Sequence, residues 1–553
     1  MNAFSEKVIY QIYPKSFQDS NGDGIGDLNG IRSRLPYLQE LGVNMLWLNP
    51  IYPSPQRDNG YDVSDYKAID PVFGSMEEFE QLVEEAGTAG MEIMMDMVFN
   101  HTSTAHPWFQ KALAGEEKYK DFYIIREAKE DGSLPTNWPS KFGGPAWEPF
   151  GNTGCYYLHL YDVSQADLNW RNPEVRKELA DVVNFWLEKG VKGFRFDVIN
   201  VIGKDEILLD AEDGVGKSLY TDRPIVHEYI REMNHRTFGK KEGTLTVGEM
   251  SSTDIQNGVL YSAKEREELS MIFSFHHLKV DYKDGDKWTN TPFDFMQLKN
   301  ILSEWQEGME KGGGWNALFW NNHDQPRANN RFGDPENYPF ETATLLAQTI
   351  HLLRGTPFIY QGEEIGMVDP DFEELKEYRD IESLNAYQEL TTKGKTEEQA
   401  LALVKKKSRD NSRTPMQWSK ELHAGFTTGT PWINAGDSYQ ERNTTDSPIS
   451  QRVYAYYQQL IRLRKELTVI SKGSYKEIEP NHPEVYSYIR ETEQEELLVL
   501  NHFYGEKTTV RIPKRFCKKN IIWVIGNRKE RSVAEEFELE AYETVALLRN
   551  KQS

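Results

Sequence analysis

The chain has 553 residues, 38% of them hydrophobic and 27% charged, and a formal net charge of −23. Such acidity argues against nucleic acid or anionic membrane as the main partner but leaves room for a small anionic ligand, which senses local charge. The length allows two or three domains, and no apolar run approaches the ~18 residues a membrane helix needs.

Two cysteines, Cys155 and Cys517, make no disulfide framework and fit a reducing compartment. The N-terminus "MNAFSEKVIYQIYP" has no long apolar core of the signal-peptide kind, so a cytoplasmic protein is expected. Aromatic residues reach 12%. Flat rings stack on sugar faces, although composition by itself favours a large aromatic core.

In chain order, short apolar runs predict strands at 8–13, 43–48, 91–98, 191–197, 244–249, 269–275, 315–320 and 355–360. Most lack strict alternation, as strands buried on both faces do. Helical patterns separate them, such as "SMEEFEQLVEEAG" and "NPEVRKELADVVNFWLEKG". The second has Asn172 as N-cap and Gly190 as stop. Eight strand–helix units predict a (β/α)₈ barrel. The alternative, a doubly wound open sheet, is disfavoured by the number of units and by the lack of Gly-x-Gly-x-x-Gly after the first strand. The interval 102–171 is far longer than a βα loop and rich in Trp, Pro and Gly, so it predicts an inserted subdomain. Residues 1–101 and 172–471 then form the barrel. After the helical "QRVYAYYQQLIRLRKEL", short β-like runs predict a C-terminal antiparallel β-sandwich domain over 472–553.

The first βα loop reads "DSNGDGIGD". Asp19, Asn21, Asp23 and Asp27 alternate as in a cation loop, Gly24 stands where an EF-hand turns, and Ile25 offers its carbonyl. Position twelve is Gly30 rather than a bidentate Glu, so the loop is either an ion site or a Gly/Asp-rich turn.

Barrel active sites lie at the C-terminal strand ends. Strand three ends "DMVFNH" (Asp96, Asn100, His101), strand four "GFRFD" (Arg195, Asp197) and strand five "VGE" (Glu249), and strand seven leads to "NNHDQPR" (His323, Asp324). Paired carboxylates are what glycosidic cleavage needs, one protonated for the leaving oxygen and one ionised for the anomeric centre. Crowding raises the pKa of at least one of them. Arg195, two residues before Asp197, shares its strand face and is positioned to keep it anionic. Any one of these acids alone would read better as a salt bridge or a helix cap. A metal centre is the rival for the group, but no His-x-His or His-x-x-x-His accompanies it.

In order and spacing these four blocks resemble the α-amylase family of retaining glycoside hydrolases. The resemblance implies that Asp197 is the nucleophile, Glu249 the general acid/base and Asp324 the transition-state stabiliser. It implies that His101, Arg195 and His323 hold the sugar in the −1 subsite. "DNGYD" is similar to the family segment whose Asp58 and Tyr61 close that pocket, and "SRDNSRTPMQW" to the one whose Arg409 and Arg413 approach it. Phe142 and Tyr161 of the inserted segment join the substrate-binding set. The resemblance also favours a structural Ca²⁺ held by Asp19, Asn21, Asp23, Ile25 and Asp27.

Val198, directly after Asp197, resembles members that cut α-1,6 or α-1,1 bonds. "QADLNW" resembles the "QPDLN" of oligo-1,6-glucosidases, with Ala166 in place of Pro. "SFHHLKVDYKDGDK" (274–287) and "TNWPSKFGG" (136–144) resemble the branch that splits trehalose 6-phosphate. A phosphate dianion needs cationic donors, and His276, His277, Lys279, Lys283, Lys287 and Lys141 are the candidates. The alternatives are a solvated basic loop and an oligo-1,6-glucosidase acting on neutral isomaltose-type sugars. A non-catalytic amylase-like ectodomain would need an anchor and would lack the acids.

Overall fold

Eight short parallel strands close into a barrel: β1 (Ile9–Ile12), β2 (Met45–Leu48), β3 (Glu92–Met97), β4 (Gly193–Phe196), β5 (Leu245–Glu249), β6 (Met271–Phe273), β7 (Asn316–Leu318) and β8 (Thr356–Tyr360). The structure, a computed structural model, describes residues 4–551. Every barrel-strand residue is buried except Glu92 at the start of β3. Such strands are covered by helices outside and by packed side chains inside, which is why their sequences run apolar without alternation. Each strand pairs with its sequence neighbours, and β8 returns to β1 with Ile9 opposite Phe358. That closure excludes the open sheet.

The helices begin where their caps dictate. Ser75 and Glu78 form a capping box at Met76–Thr88, and the Asn172 side chain accepts from Glu174 N to start Pro173–Glu188. Gly190, at φ +91°, turns the chain from that helix into β4.

Between β3 and β4 the chain builds two small antiparallel sheets. One pairs His101–Ser103 with Gln165–Asp167, and the other joins Ile125–Glu127, Cys155–Leu158 and Trp147–Pro149. Beyond the helix Pro448–Glu466, a five-stranded antiparallel sheet faces the two-stranded sheet of Thr508–Arg511 and Glu536–Leu539. Val485, Leu498, Leu500 and Leu547 of the first pack with Val510, Phe537 and Leu539 of the second.

Buried cations fasten this sandwich to the barrel chiefly by backbone oxygens, with Glu477 a more distant carboxylate partner of Lys299 at 3.9 Å. Lys299, 0% exposed, donates to the carbonyls of Glu479, His482 and Val485. Arg490 reaches back from the sandwich to Leu352 O at 2.7 Å, while Arg464, on the helix Pro448–Glu466, binds the carbonyls of Ser5, His351 and Gly355 within the barrel itself. Among the described residues no helix is long and apolar enough to cross a membrane.

Candidate active site

The strand ends β3, β4, β5 and β7 deliver Asp96, Asp197, Glu249 and Asp324 to one mouth. Asp197, Glu249 and Asp324 line a cavity of about 240 Å³ there, with Asp58, Tyr61, His101, Phe142, Tyr161 and Arg409. Arg195 lies beneath, 1% exposed, and joins the acids. Its Nη1 is 2.6 Å from Asp96 Oδ1 and 2.8 Å from Asp197 Oδ1, and its Nη2 pairs with Glu249. The shared strand face expected of Arg195 and Asp197 is therefore present. Directly after Asp197 the backbone turns sharply: Val198 sits at φ 35°, ψ 40°, a strained region for a β-branched residue. That turn aims Asp197 into the cavity and places Val198 in its wall.

The carboxyls differ electrostatically. Burial raises Asp197 above the ordinary aspartate range, Arg195 and His101 pull it down, and Asp324 pushes it up. Arg195 thus does not by itself hold Asp197 low. Burial would lift Asp324 too, but His323, Arg409 and Arg413 outweigh it and hold that carboxyl well below the usual range. Burial keeps the His323 ring neutral, pushed down to about 3, so the cationic charge facing Asp324 comes from the two guanidiniums. They stand 3.3 Å (Arg409) and 2.8 Å (Arg413) from its Oδ1. Burial pushes Asp58 up to about 7 against Arg409 and Arg413.

The remaining sugar-side candidates divide in two. Tyr61 stacks on His323 at 5.1 Å and donates to Asp96 Oδ2. Phe142 meets Tyr161 edge-on and carries the Arg409 guanidinium over its ring. Arg413 and His323 are not in the wall; Arg413 donates to His323 O and to Asp324, so it acts through Asp324.

The basic stretch is split by its own turn. After β6, residues His276–Leu278 form one 3₁₀ turn. Phe275 and Leu278, three apart and so on one face, line the cavity, as do Lys279 and Lys287. The histidines do not, which corrects the phosphate reading for both. His276 stacks on Trp305 at 5.4 Å. His277 is buried with Nε2 2.8 Å from Phe319 O, and burial pushes it down to about 4, a neutral ring. Lys283 is exposed outside the wall. Lys287 is tied to Glu382 at 2.6 Å. Lys141 reaches in from the inserted segment and bonds Ser251 Oγ, two residues beyond Glu249. Enclosure, then repulsion from Lys217, Lys279 and Lys204, pushes its ammonium down to about 7.

A family model described as "Alpha amylase, catalytic domain" matches residues 11–473, and one described as "Alpha-amylase SusG C-terminal domain" matches 485–546. The chain belongs to the α-amylase family. Among the relatives of this α-amylase-family protein, a trehalose-6-phosphate hydrolase of Bacillus subtilis (strain 168) is 50% identical, over 98% of this chain and 97% of its own. An oligo-1,6-glucosidase of Halalkalibacterium halodurans is 44% identical over 98% of each chain. The crystal structure of Bacillus licheniformis trehalose-6-phosphate hydrolase superposes with a TM-score of 0.95 at 49% identity and covers 100% of both chains.

The cation loop of this family member is closed on itself. Asp19 accepts from the backbone of Asn21, Gly22 and Gly24 and from Thr427 Oγ1, which fills the roughly four lone-pair sites of a carboxylate. Asp27 accepts from Ser20 and Gly30, Asn21 from Asp23 N, and Asp23 from Ile25 N, which leaves each of them acceptor capacity. Among the described residues no group of three or more His, Cys, Asp or Glu side chains is gathered for a metal. The all-oxygen set has the chemistry of a hard cation, but an ion there must displace bonds to Asp19.

Several wall residues escaped sequence reasoning. Gln165 bonds Asp58 Oδ2 and Tyr61 O; it stood inside the quoted "QADLNW" with nothing to set it apart. Ser251, Tyr282, Gln325 and Glu382 also line the cavity. Lys217 and Lys204, which stand outside the wall but repel Lys141, gave no motif at all.

Proposed function

We propose that the protein is a retaining, exo-acting α-glucosidase that hydrolyses trehalose 6-phosphate to glucose and glucose 6-phosphate. The observation that carries this reading is Lys141 and Lys279 in the cavity wall with the acids, and Lys217 close enough to repel both. Among the described residues none of the three is in an ion pair, in a chain of net charge −23. Like charges crowd in this way when an absent anion completes them. The names of the full-length relatives support the same substrate.

In this reading the unphosphorylated glucosyl ring lies against Tyr61, His101 and Asp324. Glu249 gives its proton to the bridging oxygen as Asp197 attacks the anomeric carbon, and glucose 6-phosphate leaves. Glu249 then takes a proton from water, which displaces Asp197 and releases α-glucose. Asp324, held ionised by Arg409 and Arg413, faces the positive charge that develops on the ring. A panel of trehalose 6-phosphate, trehalose and isomaltose at equal concentration, with products identified, tests the substrate. Trehalose 6-phosphate should be cleaved fastest; faster turnover of isomaltose would favour the oligo-1,6-glucosidase alternative and overturn the assignment.

Calcium in the Asp19 loop belongs to the same reading, with Asn21, Asp23, Asp27 and the Ile25 carbonyl as donors and Asp19 recruited from its turn. None of the loop's residues lines the cavity of the acids, so the ion would act on stability. Added Ca²⁺ should raise the melting temperature and a chelator lower it, because a ligand of the folded state adds RT ln(1 + [L]/Kd). Asp23→Ala should remove both shifts. If neither shift appears in the wild type, the loop is a turn and nothing more. A cytoplasmic location is supported by the two free cysteines, and cell fractionation tests it.

A further inference from the structure

We propose that Lys204 and Asn100 are positioning residues that lock the His101 imidazole in the tautomer carrying its proton on Nε2, the nitrogen that faces the Tyr61 carbonyl. The inference rests on the reading that this cavity holds the substrate. It starts from a buried lysine with no part in the scheme above. Lys204, 3% exposed in the loop after β4, places Nζ 2.7 Å from Asp167 Oδ2 on the inserted strand and 2.6 Å from Asn100 Oδ1 at the end of β3.

An ammonium can only donate. The Asn100 atom facing it must therefore be the amide oxygen, and the amide nitrogen faces the other way. That nitrogen lies 3.2 Å from His101 Nδ1. An NH₂ group directed at Nδ1 makes Nδ1 the acceptor, so the ring proton sits on Nε2. The far end agrees independently, because Nε2 is 3.0 Å from the Tyr61 carbonyl, which can only accept. One neighbour could argue otherwise: Gln165 Nε2 lies 3.2 Å from His101 Nε2. Its two protons, however, already go to Asp58 Oδ2 and Tyr61 O. The chain Lys204–Asn100–His101–Tyr61 thus has a fixed donor at one end and a fixed acceptor at the other, and only one tautomer satisfies both.

The charges facing the ring are Asp197 after β4, Asp167 on the inserted strand and Lys204, with the Tyr161 ring 5.4 Å away and Asp58 beyond Gln165. Burial lowers the pKa of the imidazole below the ordinary histidine value, the two aspartates raise it, and Lys204 lowers it. Without Lys204 the ring takes up a proton at higher pH. A cation there would counter the negative field that stabilises the oxocarbenium-like centre.

The experiment is ¹⁵N NMR of histidine-labelled protein, with His101→Asn to assign the resonance, joined to pH profiles of kcat/KM on an aryl α-glucoside. The wild type should show Nε2 protonated. Asn100→Asp puts an obligate acceptor beside Nδ1, so it should move the proton there. It should also lower kcat/KM about ten- to a hundred-fold and shift the acid limb upward. Lys204→Met should shift the same limb upward, and Lys204→Arg, which also only donates, should restore it. A wild-type ring protonated on Nδ1 overturns the proposal even if a variant fails to fold. So does an unchanged resonance and acid limb in both Asn100→Asp and Lys204→Met. If no glucoside is turned over at all, the reading of the cavity fails, while the NMR result still decides the tautomer.

Discussion

Asp197→Asn is expected to abolish turnover, by about 10⁴-fold or more, while the fold stays intact. The size follows from what the carboxylate does. It forms the covalent bond that divides one difficult displacement into two, and an amide in its place has no nucleophilic lone pair of comparable strength. The site offers no substitute. Asp324 is drawn to Arg409 and Arg413, and Glu249 must hold a proton in the first step. Stability should change little, because the Arg195 guanidinium keeps Asp96 and Glu249 as partners. Two displacements at one carbon retain configuration, so NMR of the first glucose released by the wild type should show the α-anomer. A complex structure should find the Asp197 and Glu249 carboxyls roughly 5–5.5 Å apart. An initial β-anomer, or a variant that keeps more than a few per cent of activity, would remove Asp197 from the nucleophile's role.

Lys279→Asp should cost trehalose 6-phosphate cleavage roughly a hundred-fold in kcat/KM and leave an aryl α-glucoside nearly untouched. A charge-assisted hydrogen bond contributes on the order of 1.5–3 kcal/mol, which is about ten- to a hundred-fold, and reversing the charge adds repulsion. Lys141→Met should lose the same selectivity by a smaller factor. Because Lys141 is pushed down to about 7, its charge is present below that pH and lost above it. The phosphate's second ionisation lies at about 6. Binding of the phosphorylated substrate should therefore peak between these values and weaken on the alkaline side, while the neutral substrate shows no such loss. A bound dianion raises the lysine's pKa and widens that window. His276, turned onto Trp305, is the internal comparison, and His276→Gln should spare both substrates alike. Equal losses on both substrates for Lys279→Asp would make the segment a pocket wall and end the phosphate assignment.

The barrel was legible because its strands are buried on both sides, and continuous apolar runs punctuated by capped helices have few other solutions. The acids were legible because a barrel presents its strand ends at one mouth, so a polar residue closing an apolar run declares its position. What the sequence could not convey was direction within a turn. His277 and Lys279 are two residues apart in one basic stretch, yet one packs into the barrel wall and the other into the cavity. That choice is made by Phe319 and Trp320, far along the chain, against which His277 rests. Gln165 was hidden, and Lys141 could be named only as one candidate among six, for a related reason. They come from the inserted segment, and only its docking on the barrel brings them to the acids. The Asp19 loop shows the limit of motif reading, since the alternating acids that suit an ion suit a self-bonded turn equally well.

The cations that fasten the sandwich also bear on how this protein could have been assembled. A tail joined by a greasy patch could be traded between genes, since any apolar surface would cover another. Lys299 from the barrel and Arg490 from the sandwich instead seize particular carbonyl oxygens across the seam. A foreign tail would have to offer those oxygens in the same places or strand a positive charge in a dry interior, a fault worth several kcal/mol. Barrel and sandwich are thus matched as lock and key, and a chimera that replaces one must carry the other's backbone path with it.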